Sequence, residues 1–256
     1  MQLPANPLKR ALRERRHQIG LWSMLASPVA TEIAAGSGFD FLVLDMEHAP
    51  NELTAIRDQL QAMQGSAAAP VVRPPWNDTV VFKRLLDVGA QNFVVPMVQD
   101  ADDARRAVAA TRYPPRGVRG VAVATRANRF GRVTDYLQRA SDEICVHVQI
   151  ETRAALANLE AIAAVDGVDG LFIGPSDLAA DFGQLGNSAH PEVRRAIDDA
   201  IARICATGKV AGILAPIEAD ARHWLALGAT FVAVGSDLGV LARQTEALAR
   251  RFQEQP

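Results

Sequence analysis

The sequence predicts an α/β protein folded as a closed (β/α)8 barrel of the TIM type, and three observations predict it. Eight short runs rich in apolar and β-branched residues recur along its 256 residues. Helical periodicity fills the intervals between them. Glycine closes several of these helices and Asp, Asn or Pro opens others, as helix ends require. Strands alternating with helices at this spacing imply a parallel sheet, and eight units imply closure. Periodicity cannot show closure, so an open doubly wound sheet stands as the alternative. No GxGxxG follows the first strand to favour a dinucleotide fold.

In chain order, strands are expected at Gln18–Met24, Phe39–Glu47, Pro70–Pro74, Asn92–Val98, Ile144–Glu151, Gly170–Gly174, Lys209–Leu214 and Phe231–Gly235. The basic N-terminus MQLPANPLKRALRERRHQ lacks the apolar core of a secretory signal and reads as a short amphipathic helix under the barrel. Helices are expected over Glu52–Met63, Thr79–Val88, Ala101–Ala110, Arg153–Ala164, Pro191–Ala206 and Ile217–Leu227, with Leu238–Phe252 closing the chain. Gly89, Gly208 and Gly228 end three of them; Asn51, Asn77–Asp78 and His190–Pro191 open others. Tyr113–Glu143, with Pro114, Pro115 and a cluster of arginines, breaks the rhythm and reads as a functional loop or an oligomer contact. No shift in composition marks a second domain, so residues 1–256 read as one barrel.

Composition excludes several function classes. With 49% apolar residues the chain can bury a large core, and a net charge of -2 argues against a nucleic-acid or anionic-membrane surface. No apolar stretch is long enough to span a bilayer. Cys145 and Cys205 have no paired spacing and read as reduced thiols of a soluble, cytoplasmic protein.

In such a barrel the active site lies at the C-terminal ends of the strands. Asp45, Glu47 and His48 fall there after the second strand, Arg73 after the third, Gln149 and Glu151 after the fifth, and Ser176 and Asp177 after the sixth. Glu151 and Asp177 end adjacent strands. Without Cys or His beside them they suit a hard divalent cation, Mg2+ or Mn2+, with Co2+ a third candidate. The alternative is structural: Glu151 capping the next helix and Asp177 capping a turn in GPSDL. His147, Gln149 and Glu151 alternate, so they share the inward face. His147, the deepest, reads as a satisfied core histidine. Arg73 needs an anion, either a structural carboxylate or a substrate group. His48 is placed for acid–base work, whereas His17, His190 and His223 carry no such signal. Lysines number three: Lys9 precedes the barrel, Lys83 lies on a helix, and Lys209 starts a strand at the end away from the mouth. None can serve as a Schiff-base nucleophile, so carbonyl chemistry here would need a metal as electron sink.

GLW, LDMEHAP, PVVRPPWND, LLDVGAQ, VVPMVQ, RYPPRGVRG, VQIET, VDGLFIGPSDLAAD and FVAVGSD follow one another along the whole chain. This ordered set resembles the HpcH/HpaI aldolase family, above all its 4-hydroxy-2-oxoheptanedioate and 2-keto-3-deoxy-sugar-acid aldolases. The resemblance implies a class II, divalent-metal aldolase that joins pyruvate to aldehydes and cleaves the product. It implies Glu151 and Asp177 as metal ligands, Arg73 as the pyruvate and enolate anchor, and His48 as the proton relay, paired with Asp87 from a neighbouring subunit. It implies Asp45, Glu47 and Gln149 around the metal, Trp22 at the substrate pocket, and the Ser176 and Asp177 N–H groups on the pyruvate carboxylate. It further implies a homohexamer, a trimer of dimers that exchange the final helix. Met46 and Ser176 depart from the residues common at those positions, which leaves the aldehyde open, and aromatic and sugar-acid catabolism fit equally. The rivals are an acyl-CoA lyase of the malyl-CoA or citramalyl-CoA type on the same barrel, and a non-catalytic metal-binding barrel.

Overall fold

The computed structural model describes residues 1–253, so the expected extent of the barrel to residue 256 reaches beyond the described residues. Eight parallel strands follow in order: β1 (Gln18–Ser23), β2 (Phe41–Asp45), β3 (Ala69–Arg73), β4 (Asn92–Val95), β5 (Cys145–Ile150), β6 (Gly170–Ile173), β7 (Val210–Leu214) and β8 (Phe231–Ser236). Each pairs with the next and β8 returns to β1, so the sheet is a closed barrel and the open alternative is excluded.

Helix α1 (Pro7–Arg13) lies under the barrel as expected. Its Leu8 and Leu12 join the interior, and Lys9 Nζ donates to the carbonyls of Asp142 and Ile144 beside the start of β5. Around the barrel run α2 (Pro28–Ala35), α3 (Leu53–Ala62), α4 (Thr79–Asp87) and α5 (Ala101–Ala110). The insertion after α5 is irregular apart from α6 (Tyr136–Arg139) and one 3-10 turn, and it buries a small cluster of its own around Val133 and Tyr136. After β5 come α7 (Arg153–Ala157) and α8 (Leu159–Ala163); after β6, α9 (Pro175–Asp181) and α10 (Pro191–Ala206). The chain ends on α11 (Glu218–Ala226) and α12 (Asp237–Gln253). Among the described residues no helix is long and apolar enough to cross a membrane.

The strands read as unbroken apolar runs because both of their faces are covered. Outward residues such as Leu42, Leu44, Val72 and Ile173 pack against the helices. Inward ones, among them Phe41, Val71, Phe172 and Phe231, fill the barrel. Phe41 and Phe231 approach to 4.2 Å between ring centroids, and a Cβ at Gly20 would lie 2.4 Å from the Phe41 ring, so β1 needs glycine there.

Three local expectations are corrected. The helix expected over Arg153–Ala164 is two, because the Asn158 backbone leaves the helical region and its side chain donates to the Gln99 carbonyl. Asn51 does not open α3: it is buried, and its amide donates to the Asp45 carbonyl at the end of β2. The segment GPSDL is not a free turn but the first turn of α9, with Pro175 at its start.

Candidate active site at the barrel mouth

Asp45 and Arg73 are partners in the β2–β3 register, so their side chains emerge together at the mouth. The guanidinium meets that carboxylate in a fork, Nε to Oδ1 and NH2 to Oδ2, both 2.7 Å. Its NH1 lies 2.9 Å from Glu47 Oε2, and its carbon stands 5.0 Å from the Trp22 ring centroid. Of the two readings left open for Arg73, the structural carboxylate is therefore present. The same contacts leave the arginine rigid at the cavity wall. Glu47 also faces His48, with Oε1 3.8 Å from Nε2, while the imidazole is 59% exposed. Burial raises the Glu47 carboxyl above its ordinary value against the pull of Arg73 and His48, and Asp45 and Asp177 push the same way as burial.

Glu151 follows β5 and is 2% exposed. Its Oε1 accepts the Met97 N–H at 2.7 Å and its Oε2 accepts the Gln149 amide at 2.6 Å. Both donors are neutral. Burial, with Glu47 and Asp177 adding to it, pushes the carboxyl up to about 7. The backbone is shaped to this group: a Cβ at Gly174 would lie 2.5 Å from Oε2, and Met97 delivers its N–H from a left-handed φ of 54°. Gln149 Oε1 is buried without a donor among the described residues.

Neither structural reading of the carboxylate pair holds. The cap of α7 is Thr152, whose hydroxyl accepts the Ala155 N–H, and not Glu151. Asp177 lies within the first turn of α9, which has no side-chain cap. Its field reaches both Glu47 and Glu151. The Glu151 and Asp177 carboxylates, with the unpaired Gln149 amide oxygen beside them, are hard oxygen donors of the kind that suit a divalent cation. Among the described residues no three His, Cys, Asp or Glu side chains converge closely enough to hold a metal ion by themselves. Such a cation would be held chiefly by Glu151 and Asp177, with positions left for water or substrate.

A cavity of about 290 Å³ opens here, lined by Trp22, His48, Arg73, Gln149, Ser176 and Asp177 on its polar side and by Met24, Phe172 and Leu214 on its apolar side. The N–H groups of Ser176 and Asp177 belong to the first turn of α9, where no helical carbonyl is available to them. His147 lies beneath, stacked on Phe231 at 4.7 Å, and burial pushes it down to about 4. It is a core residue as expected, but not a satisfied one: Nε2 is buried without a partner.

Asp87 is the one expected site residue that the fold does not bring to this mouth. It is the last residue of α4, the end of that helix away from the mouth, and its carboxylate meets Arg119 NH2 at 3.1 Å. Sequence reasoning missed Met97, Met24 and Leu214. The last two follow from taking the terminal residue of every strand; the positive φ at Met97 has no signal in the sequence. The lysines stand as expected: Lys9 and Lys209 are tied to carbonyls at the closed end, and Lys83 lies on α4.

Four matches to known proteins bear on this site. The sequence model of the HpcH/HpaI aldolase/citrate lyase family matches residues 18–244. The 5-keto-4-deoxy-D-glucarate aldolase of Enterobacter sp. (strain 638) is 56% identical over 249 residues, 97% of each chain. Among solved structures, an HpcH/HpaI aldolase/citrate lyase family protein from Burkholderia cenocepacia J2315 superposes with a TM-score of 0.94 at 39% identity, covering 98% of this chain and 100% of that one. The HpcH/HpaI aldolase of Desulfitobacterium hafniense DCB-2 gives 0.91 at 30% identity, covering 98% of each.

Proposed function

The chain belongs to the HpcH/HpaI aldolase/citrate lyase family and is a carbon–carbon lyase, and on that footing we propose that it is a divalent-metal-dependent aldolase cleaving 4-hydroxy-2-oxo acids reversibly to pyruvate, or a related 2-oxo acid, and an aldehyde. Within that class we propose a keto-deoxy sugar diacid as substrate. The support is the name of the Enterobacter relative: 5-keto-4-deoxy-D-glucarate, numbered from its keto end, is itself a 4-hydroxy-2-oxo acid. This favours sugar-acid over aromatic catabolism.

One observation carries the reading: a buried Glu151 with only neutral donors, its carboxyl raised in part by Asp177, beside an arginine held by two carboxylates. Glu151 and Asp177 would hold Mg2+ or Mn2+, which supplies Lewis acidity toward the oxygens of the 2-oxo acid. The Ser176 and Asp177 N–H groups bind the substrate carboxylate. Arg73 directs N–H groups at the 2-oxo oxygen, where negative charge grows as the C3–C4 bond breaks. His48, with Asp87 of a neighbouring subunit beside it, takes the proton of the 4-hydroxyl as the aldehyde departs. The proton taken by His48 then passes back through water to C3 to give pyruvate. Trp22, Met24 and Leu214 shield the reacting carbons from water. We further propose the hexameric assembly with exchanged final helices; in support, α12 runs 17 residues with none buried.

Arg73 is the decisive position. Arg73→Ala should lower both aldol cleavage and pyruvate C3 proton exchange by at least about a hundredfold, the scale of one lost oxyanion donor. Because that substitution strands the buried Asp45, Arg73→Lys is measured beside it and should lose nearly as much, having no planar fork. Proton exchange at the wild-type rate in either variant would remove Arg73 from enolate stabilisation.

A further inference from the structure

The insertion between α5 and β5 clasps the end of α4 at three points. The Ala127 N–H donates to the Asp87 carbonyl at 3.1 Å, Arg126 NH1 donates to the Val88 carbonyl at 2.7 Å, and Arg119 NH2 donates to the Asp87 carboxylate. The first two bonds hold the backbone. The third is of another kind. Arg119 is 1% exposed, lies 4.4 Å from the Tyr113 ring centroid, donates from NH2 to the Tyr136 hydroxyl at 3.3 Å as well as to Asp87, and leaves Nε and NH1 without acceptors among the described residues. Burying a guanidinium with two idle donors is costly, and securing a helix end that backbone bonds already secure does not require it. Tyr113 supplies no counter-charge, since burial pushes its hydroxyl up to about 12 and it stays neutral. The carboxylate in contact with Arg119 is that of Asp87, gripped through Oδ1 and still 26% exposed.

We propose that Arg119 is a positioning residue for the reaction: it holds Asp87 of its own chain in the orientation in which that carboxylate meets His48 of a neighbouring subunit. The inference rests on the His48–Asp87 pairing proposed above, and adds the side chain that sets it. The guanidinium lies over the Tyr113 ring while its NH2 bonds Asp87 and the Tyr136 hydroxyl, an arrangement an ammonium cannot reproduce.

The test compares Arg119→Met, Arg119→Lys, Asp87→Asn and the Asp87→Asn/Arg119→Met double variant, all loaded with Mn2+ and checked for assembly by light scattering. Arg119→Met should lower kcat for cleavage of a 4-hydroxy-2-oxo acid by roughly tenfold to a hundredfold with KM nearly unchanged, the range of a misplaced proton relay. It should displace the kcat–pH profile as Asp87→Asn does. In the double variant the loss should equal that of Asp87→Asn alone, because a residue acting only through Asp87 has nothing further to lose. If Arg119→Met does not assemble, Arg119→Lys carries the same expectations. Co-assembling His48→Ala chains with Asp87→Asn chains tests the pairing itself, and should restore activity by forming sites with both partners intact. His48→Ala with Arg119→Met should do likewise. Recovery in the Asp87 mixture together with wild-type kcat in the Arg119 variants, or multiplied losses in the double variant, overturns the role of Arg119. No recovery in the Asp87 mixture overturns the pairing and this inference together.

Discussion

Glu151 and His147 stand four positions apart on β5 and its extension, and burial moves them in opposite senses. Glu151 titrates near 7 instead of 4.5, so the fold favours its protonated form; that contribution is whole below pH 4.5 and is lost as the pH rises through 7. His147 titrates near 4 instead of 6.5, so the fold favours its neutral form; that contribution is present above pH 6.5 and is lost as the pH falls through 4. Each is worth at most about 3 kcal/mol, at 1.36 kcal/mol per pH unit. From pH 4.5 to 6.5 the two oppose one another. Metal-free protein should therefore show an unfolding free energy that is nearly level from pH 5 to 6.5 and declines toward pH 7.5 by urea titration. Glu151→Gln should turn the level stretch into a rise, and His147→Leu into a fall; unchanged slopes in both would refute the assignment. The proposed cation competes with the Glu151 proton, so Mn2+ affinity measured by calorimetry should climb about tenfold per pH unit up to 7 and then flatten. A flat affinity below pH 7 would exclude Glu151 as a ligand.

At the scale of elements, all eight strands were legible because a strand covered on both faces writes itself as an uninterrupted apolar run. Their ends were not. Val98 and Glu47 continue the pattern of apolar and mouth-facing residues past the last paired residues Val95 and Asp45, because residues turned to the mouth are selected for the site and not for the ladder. The carboxylates were found by that same position at strand ends. What no periodicity carries is which hydrogen bond a side chain makes: Thr152 and not Glu151 caps α7 by a local bond, and Asn158 breaks the helix where its amide reaches the Gln99 carbonyl of a distant loop. Packing inside the barrel is similarly silent in sequence, since a lone glycine in β1 carries no message until Phe41 is seen against it. Gly20→Ala should accordingly cost about 1–3 kcal/mol of overpacking, read as a lower urea midpoint at unchanged m. A midpoint equal to that of the wild type would mean that the Phe41 ring moves aside freely.

For the whole molecule, the proposed pairing of His48 with Asp87 sets a condition that one chain does not meet, because Asp87 lies away from the mouth. The family resemblance implies His48 and Asp87 as a pair, but only the fold shows the carboxylate at the far end of α4, held by the insertion. The same holds for α12, whose amphipathic pattern was legible while its lack of any buried residue was not. Leu241 and Leu248 lie seven residues apart, two turns along one face, and both are about half exposed; an apolar helical face of that length calls for a partner. Substituting Leu241→Glu together with Leu248→Glu should dissociate the assembly, measured as molecular mass in solution. The two functions of the site should then separate. Mn2+ binding should persist in the dissociated chain, because Glu151 and Asp177 come from one barrel. On the proposed pairing, turnover should fall as far as it does in Asp87→Asn, since dissociation would take from His48 the carboxylate of a neighbouring chain. A dissociated chain that turns over at the wild-type rate would show that His48 works without Asp87, and that each barrel is complete in itself.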